Sequence, residues 1–241
     1  MGKYSLNFKQ LSKKDIAIAG GKGASLGEMT QLKLSVPPGF TVLAQAFDRY
    51  LAETDLKQEI EAQLEKINFE EMHSITKASE MITSLITDEK MPKDIEIEIL
   101  KEFKKLKVQA VAVRSSATCE DSAAASWAGE LESYLNVKEK NLIQSVKKCW
   151  ASLFTPRAIF YRHEKDLKNE AVSVAVVIQK MIQSEVSGIC FTVHPVTEDK
   201  SQMVIEAGYG LGEAIVGGMI TPDSYIVEKL KVKSYKVIVN H

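Results

Sequence analysis

The chain has 241 residues, 45% hydrophobic and 26% charged, which is enough to bury the core of one large domain or two small ones. Its formal net charge of -1 excludes a broad basic surface for nucleic acid or acidic membranes, so any anion site must be local. No apolar run approaches the roughly 18 residues of a membrane helix. The absence of a signal-like N-terminus and the three scattered cysteines together predict a cytoplasmic protein with reduced thiols.

The first distinctive stretch is "AGGKGASLGEM", residues 19–29, which places four glycines around Lys22. Glycine allows close backbone approach, and a helix N-terminus adds partial positive charge, so the pattern is typical of a phosphate site. A P-loop is excluded because Ile16 and Gly23 stand where it needs a glycine and a hydroxyl residue. The alternatives that remain are a phosphate-binding lysine in a flexible turn and a plain glycine-rich turn with a surface lysine.

The spacing of apolar residues along the chain changes near residue 107. Before it, apolar residues recur at three- and four-residue spacing and predict helices, broken at "VPPGF" (residues 36–40). After it, short valine-rich runs predict strands, and the last two, "DSYIVEK" and "SYKVIVNH", predict a hairpin. We therefore predict an α+β fold with a mixed or antiparallel sheet in the second part, divided into a largely helical lobe over 1–107 and a second part over 108–241.

Two strands of the second part carry candidate ligand groups. "VQAVAVRSS" is expected to end on Arg114, whose guanidinium can hold phosphate oxygens in a bidentate way. A small-residue loop follows, in which Gly129 could lay its N–H over a phosphate. "VVIQKMI" carries Gln179 and could offer backbone groups to an adenine edge. The plain alternatives are an arginine paired with Glu120 or Asp121 and an ordinary core strand.

Six stretches in order carry a family resemblance: "GGKGASLGEMTQLKLSVPPGFTV", "AVRSSATCEDS", "SWAGELESYLNV", "VVIQKMI", "SGICFTVHP" and "GYGLGEAIVGGMITPDSYIV". Together they resemble the nucleotide-binding N-terminal domain of the phosphoenolpyruvate synthase family, which includes pyruvate phosphate dikinase and rifampicin phosphotransferase. The resemblance covers roughly residues 10–230. It implies an ATP-grasp fold, in which two α+β lobes clamp ATP.

The resemblance also implies roles for individual residues. Lys22 and Arg114 would bind the ATP phosphates and serve catalysis, and Gly129 and Ser133 would belong to a lid over them. The adenine side and the "GLGE" segment would contribute Gln179, Lys180, Met181, Ile182 and Glu213. Where the family usually has Gln and Thr in the lid, this sequence has Glu130 and Ser133.

In the family, ATP is cleaved to AMP and phosphate while its β-phosphoryl group moves to a histidine on a separate carrier domain, which then serves a pyruvate-binding domain. Magnesium is held there by a Glu and a Gln on a later stretch, and the chain stops at His241 before it, so no metal ligand is assigned here. None of the four histidines has the carrier context. The resemblance thus implies a C-terminally truncated piece of a pyruvate, water dikinase, inactive alone, with no nucleic-acid or membrane partner.

Three function classes remain open from the sequence. The chain is the ATP-binding part of such a phosphotransferase (phosphoenolpyruvate synthase first, then rifampicin phosphotransferase or pyruvate phosphate dikinase), a non-catalytic nucleotide-binding paralogue, or a complete ATP-grasp ligase. The ligase is disfavoured because the final stretch, "EKLKVKSYKVIVNH", offers only Glu228 for a magnesium-binding carboxylate cluster.

Overall fold

A computed structural model describes residues 4–118, 132–165 and 173–229, and the backbone of 236–240. The chain divides into two compact units, residues 1–181 and 182–241. Helices and antiparallel strands are combined in one chain, which confirms the α+β class. No helix among these residues is long and apolar enough to cross a membrane.

The first unit is built from helices and one five-stranded antiparallel sheet. Its strands, in chain order, are β1 (Ser5–Asn7), β2 (Gly39–Val42), β3 (Val111–Ala117), β4 (Ser133–Val137) and β5 (Val174–Lys180), and they lie in the order β1-β2-β5-β3-β4. Its helices are α1 (Ile16–Gln31), α2 (Ala44–Glu53), α3 (Leu56–Glu65), α4 (Met72–Asp88), α5 (Lys93–Leu106), α6 (Glu139–Ala151) and α7 (Pro156–Glu164). Three short 3-10 turns accompany them at Phe8–Gln10, Lys13–Asp15 and Ser152–Phe154.

The predicted lobe boundary at 107/108 falls inside this unit. Strand β2, from the helical first part, pairs along its whole length with β5, so that Gly39 lies opposite Gln179 and Val42 opposite Val176. Strands so far apart in sequence show no local sequence pattern that would predict their pairing. The helices and the strands that follow them therefore form one compact body.

The two faces of this sheet carry different neighbours. One face packs against the helical layer through a large apolar core that includes Val113, Ile178 and Trp150, with Trp150 stacked 5.1 Å from Tyr50. The other face packs against α1, where Ala19 joins a smaller cluster with Val177. Side chains alternate along a strand, so residues two apart share a face.

The second unit is a four-stranded antiparallel sheet with one short helix. It contains β6 (Val186–Phe191), β7 (Gln202–Tyr209), α8 (Gly212–Val216), β8 (Asp223–Glu228) and β9 (Lys236–Asn240), with the strands in chain order. The predicted C-terminal hairpin is confirmed, since β8 and β9 pair from Ser224 with Asn240 to Glu228 with Lys236.

Helix α5 ends on a residue with a left-handed backbone, Lys107, at φ 53° and ψ 45°. A side chain in this region costs energy that glycine does not. We expect Lys107→Gly to raise the free energy of unfolding by about 0.5–1 kcal/mol in a urea titration followed by circular dichroism. The matched change Lys101→Gly, on an exposed interior position of the same helix, should lower it by about 1 kcal/mol. A loss of stability in Lys107→Gly would contradict the strain argument.

Candidate functional site

The glycine-rich turn lies inside α1 and is held against β3. Gly20 interrupts the helix with φ 68° and ψ 171°, and the helix resumes with Lys22 in its first turn. The Oγ of Ser116 accepts hydrogen bonds from the backbone N–H groups of Lys22 (3.1 Å) and Gly23 (3.3 Å), and donates one to the carbonyl of Ala19 (3.0 Å). One strand hydroxyl thus closes the break in the helix.

This arrangement changes the expected use of the turn. The backbone N–H groups of Lys22 and Gly23 already have a partner in Ser116, so they are not open donors for an anion. A Cβ placed on Gly20 would come within 2.6 Å of the Ser116 carbonyl carbon. Gly20 therefore serves the close packing of helix on strand, and the Lys22 side chain, which is half-buried, is the cationic group of the turn.

Arg114 lies in the middle of β3, whereas the sequence predicted it at the strand end. The strand continues to Ala117 because the buried hydroxyls that follow are satisfied: Ser115 Oγ donates to the carbonyl of Glu132 at 2.9 Å, and Ser116 to Ala19. A buried polar side chain with a partner is compatible with a core strand. The half-buried Arg114 guanidinium has no hydrogen bond or ion pair with any residue that the structure describes.

Lys22 and Arg114 share one face of the sheet. Ser116, which binds the Lys22 backbone, is two residues from Arg114 and so points to the same side, roughly 7 Å along the strand. Across the sheet, Arg114 is the register partner of the exposed Ser133 on β4 and of Val177 on β5. Directly opposed residues in such pairs have neighbouring side chains. The structure therefore places Arg114 and Ser133 side by side, on the face of the sheet that holds the Lys22 turn.

The charge of Lys22 acts on the Cys149 thiol of α6. Burial is the main reason that the pKa of the Cys149 thiol on α6 is raised well above its ordinary value, and the nearby charge of Glu132 adds to it. The Lys22 ammonium works in the opposite direction. The Lys22 charge thus lies near enough to Cys149 to favour its thiolate form.

The predicted adenine-side residues lie at the end of β5. Gln179 is 8% exposed, and its Nε2 donates to the carbonyl of Pro37 at 3.1 Å. Its register partner Ala112 shows that Gln179 is on the same face as Arg114. The backbone N–H groups of Lys180 and Met181 donate to Pro38 and Ala110, at 2.8 and 3.2 Å.

The remaining predicted residues lie in the second unit or outside the described residues. Ile182 is exposed and begins the second unit, and Glu213 is an exposed residue of α8 in that unit. Gly129 lies outside the described residues, as do Glu120, Asp121 and Glu130.

Sequence reasoning missed two residues on this face. Ser116 anchors the turn. The sequence pattern that could have indicated it is a second serine after an apolar strand, because a buried serine hydroxyl needs a hydrogen-bond partner. Thr41 on β2 is fully buried, opposite Val177, and its Oγ1 has no hydrogen-bond partner in the described part of the chain. A lone threonine in an extended apolar run gave no such signal.

Metal ligands are not gathered at this face. Across the residues that the structure describes, no group of three or more His, Cys, Asp or Glu side chains is close enough to hold a metal ion. Of the histidines, His73 lies on α4, His163 stacks on Phe69, and His194 Nδ1 accepts from the Val196 backbone. These donors do not fit a magnesium site, so no step is assigned to a metal here.

Comparison with known proteins bears on what this face binds. The family described as pyruvate phosphate dikinase, AMP/ATP-binding domain, matches residues 16–241. The chain belongs to this family. The resemblance drawn from the six sequence stretches is thereby confirmed.

Relatives of this dikinase ATP-binding domain cover nearly the whole chain. A probable phosphoenolpyruvate synthase of Methanocaldococcus jannaschii is 44% identical over 99% of the chain, and one of Archaeoglobus fulgidus is 46% identical over 94%. The phosphoenolpyruvate synthase of Pyrococcus furiosus is 40% identical over 92%. The chain spans only 20%, 31% and 32% of the length of these three proteins, respectively.

Proposed function

We propose that the chain is the ATP-binding portion of a phosphotransferase of the phosphoenolpyruvate synthase type. The single observation that carries this proposal is the Arg114 guanidinium, which has no partner among the described residues and shares a sheet face with the Lys22 turn. A guanidinium that the sheet holds in place, with no carboxylate partner among the described residues, is suited to an anionic ligand. Membership of an AMP/ATP-binding family supports a nucleotide polyphosphate as that ligand.

In this proposal the two cations contact the polyphosphate of the nucleotide from two sides. Lys22 approaches from α1 and Arg114 from β3, so that a polyphosphate between them meets a positive charge on each side. Phosphoryl transfer depends mainly on positioning and on charge stabilisation, and both groups supply these without a covalent step. Ser133, directly across from Arg114, adds a hydroxyl to the same place. We assign Gly129 to the lid by family resemblance alone.

The adenine base is proposed to lie at the end of β5. Gln179 is held by its hydrogen bond to Pro37, and the paired N–H groups of Lys180 and Met181 fix the backbone that leads to Ile182. Such a rigid extended segment can present backbone groups to the edge of a planar base. The role of Glu213, and the ATP-grasp arrangement in which two lobes clamp ATP, are further parts of the proposal.

The parent reaction is proposed to be the conversion of pyruvate, ATP and water to phosphoenolpyruvate, AMP and phosphate. The β-phosphoryl group of ATP would pass to a histidine on a carrier domain and then to pyruvate on another. The names of the relatives support this acceptor over a rifamycin. The chain would supply the nucleotide site, and the remaining length of such a protein would supply the carrier and the acceptor sites. As the family resemblance implies, magnesium is proposed to bind through a Glu and a Gln on a later stretch of the parent protein.

Calorimetric titration of the chain with ATP, with and without magnesium, tests the proposal. We expect saturable one-to-one binding that is weak and changes little with magnesium, because the described residues offer no metal ligand cluster. GTP is the control nucleotide and should bind less well if a base-reading segment is present. The absence of any ATP binding would contradict the assignment, and strong magnesium-dependent turnover would contradict the view that the chain is inactive alone.

A further inference from the structure

A cavity lies in the helical layer of the first unit, among residues that the nucleotide proposal does not use. It has a volume of about 570 Å³ and is formed by α3, the segment that follows it, and α7. This is within the roughly 300–1,000 Å³ of small-molecule sites. Its apolar wall consists of Leu64, Ile67, Phe69 and Ile159.

A largely buried cation, Arg162, lines this cavity. Its guanidinium donates one hydrogen bond to the carbonyl of Leu153 at 3.0 Å and lies 5.0 Å from the centre of the Phe154 ring. Its Nε is buried without a hydrogen-bond partner, and no carboxylate in the described part of the chain forms an ion pair with it. Burial lowers the pKa of Arg162 to about 10. A buried cation without a counter-ion is costly, so an entering carboxylate would find a favourable partner.

His163 adds a second polar group with incomplete bonding at the same wall. Its ring stacks on Phe69 with 3.6 Å between the centroids, and its Nδ1 is buried without a hydrogen-bond partner among the described residues. Buried polar atoms of native proteins are nearly always paired. Two such atoms on neighbouring residues of α7, beside a cavity, indicate a place where a ligand completes the hydrogen bonding.

The other polar groups of the cavity have the opposite charge. Glu61 and Glu65 also line it, lie one turn apart on the same side of α3, and are solvent-exposed. Neither forms an ion pair with a described cation. Two carboxylates at the opening repel a phosphate or a nucleotide and attract an ammonium group. The cavity is therefore unsuited to a second molecule of ATP.

We propose that this cavity binds an α-amino acid with a large apolar side chain. The ligand carboxylate pairs with Arg162, its ammonium group lies between Glu61 and Glu65, and its side chain covers the apolar wall around Phe69. A zwitterion with an apolar side chain can pair with Arg162, pair with the two glutamates and pack on the apolar wall at the same time. A simple anion or a simple cation can make only some of these contacts. The proposal is independent of the nucleotide site, because none of its residues belongs to the Arg114 face.

Calorimetric titration of the chain with L-phenylalanine and L-leucine tests the ligand class. We expect saturable binding of at least one of them. Hydrocinnamate, which lacks the ammonium group, and phenethylamine, which lacks the carboxylate, should each bind about tenfold more weakly than L-phenylalanine, because each loses one charge-assisted contact. If neither amino acid binds saturably, or if hydrocinnamate binds as well as L-phenylalanine, the proposal is wrong.

A double variant of the two glutamates tests the location. Glu61→Gln with Glu65→Gln changes only exposed side chains, and we expect it to weaken L-phenylalanine binding about tenfold. Hydrocinnamate has no ammonium group and is repelled by the two carboxylates, so its binding should not weaken and should become slightly tighter. Glu59→Gln, an exposed position of α3 that is not among the cavity-lining residues, is the matched control and should change neither. Equal binding by the double variant and the control would place the amino acid elsewhere. ATP titration of the same variants reports on the nucleotide site separately.

Discussion

Replacing Arg114 by alanine is expected to lower the ATP affinity of the chain by about 10- to 100-fold, because a hydrogen bond to a charged group contributes about 1.5–3 kcal/mol. The side chain has no bond to lose within the described part of the protein, so its removal should leave stability nearly unchanged. Lys22→Ala should give a loss of similar size from the other side of the phosphates. Isothermal titration of each variant with ATP gives the affinity, and urea unfolding reports on the fold.

Two further variants make this comparison specific. Arg114→Lys retains the charge but not the planar pair of donors, so its affinity should fall between those of the parent and the alanine variant. Arg157→Ala removes an exposed arginine of α7, on the helical side of the sheet, and should bind ATP as the parent does. Unchanged binding in both Arg114→Ala and Lys22→Ala would remove these two residues from the nucleotide site.

Replacing Gly20 by alanine is expected to destabilise the first unit by about 2–5 kcal/mol, the largest effect on folding that we predict. The backbone there has φ 68°, which costs a side chain about 1–2 kcal/mol, and the new methyl group would collide with the backbone and Oγ of Ser116. The helix would have to move away from β3, which would break the hydrogen bonds of Ser116 to Lys22 and Gly23. Urea unfolding followed by circular dichroism measures the loss.

Variants of two other glycines separate the cost of the positive φ angle from the cost of the steric contact. Gly210 has φ 86°, but no atom lies within 4 Å of the point that a Cβ would occupy, so Gly210→Ala should show only the backbone cost of about 1–2 kcal/mol. Gly23 lies in the same turn with ordinary helical dihedrals, but a Cβ there would meet Thr41 Oγ1 at 3.0 Å and the Ala19 Cβ at 3.1 Å. Gly23→Ala should therefore show only a packing cost, smaller than the loss in Gly20→Ala. A Gly20→Ala protein as stable as the parent would contradict the close packing of α1 on β3.

The sequence predicted the chemistry of this face better than its geometry. Lys22, Arg114 and Gln179 were chosen from local patterns, and the structure places all three around one side of the sheet. The sequence pattern ends β3 three residues too early, because a serine pair is typical of a loop, whereas here each serine hydroxyl donates a hydrogen bond to a carbonyl. Whether a buried hydroxyl finds a partner depends on segments far away in the chain, and a local pattern does not contain that information.

The same limit applies to the division of the chain into compact units and to the cavity in the helical layer. The joining of β2 to β5 depends on contacts between residues more than a hundred positions apart. The cavity beside Arg162 arises where α3 and α7 meet, and neither helix shows it alone. Periodicity and capping residues identify elements, whereas the spaces between elements depend on how they pack.

The serine that fastens α1 to β3 has a consequence for energetics. Because the Ser116 Oγ already accepts hydrogen bonds from the N–H groups of Lys22 and Gly23, the backbone that carries the lysine is ordered before the proposed nucleotide binds. The turn then loses little conformational entropy when the ligand binds. The favourable interactions of the cations with the ligand are therefore not offset by the cost of ordering the turn. In Ser116→Ala the turn would be less ordered in the unbound protein. Binding would then have to order it, so the unbound and bound proteins would differ more in rigidity than they do with the serine.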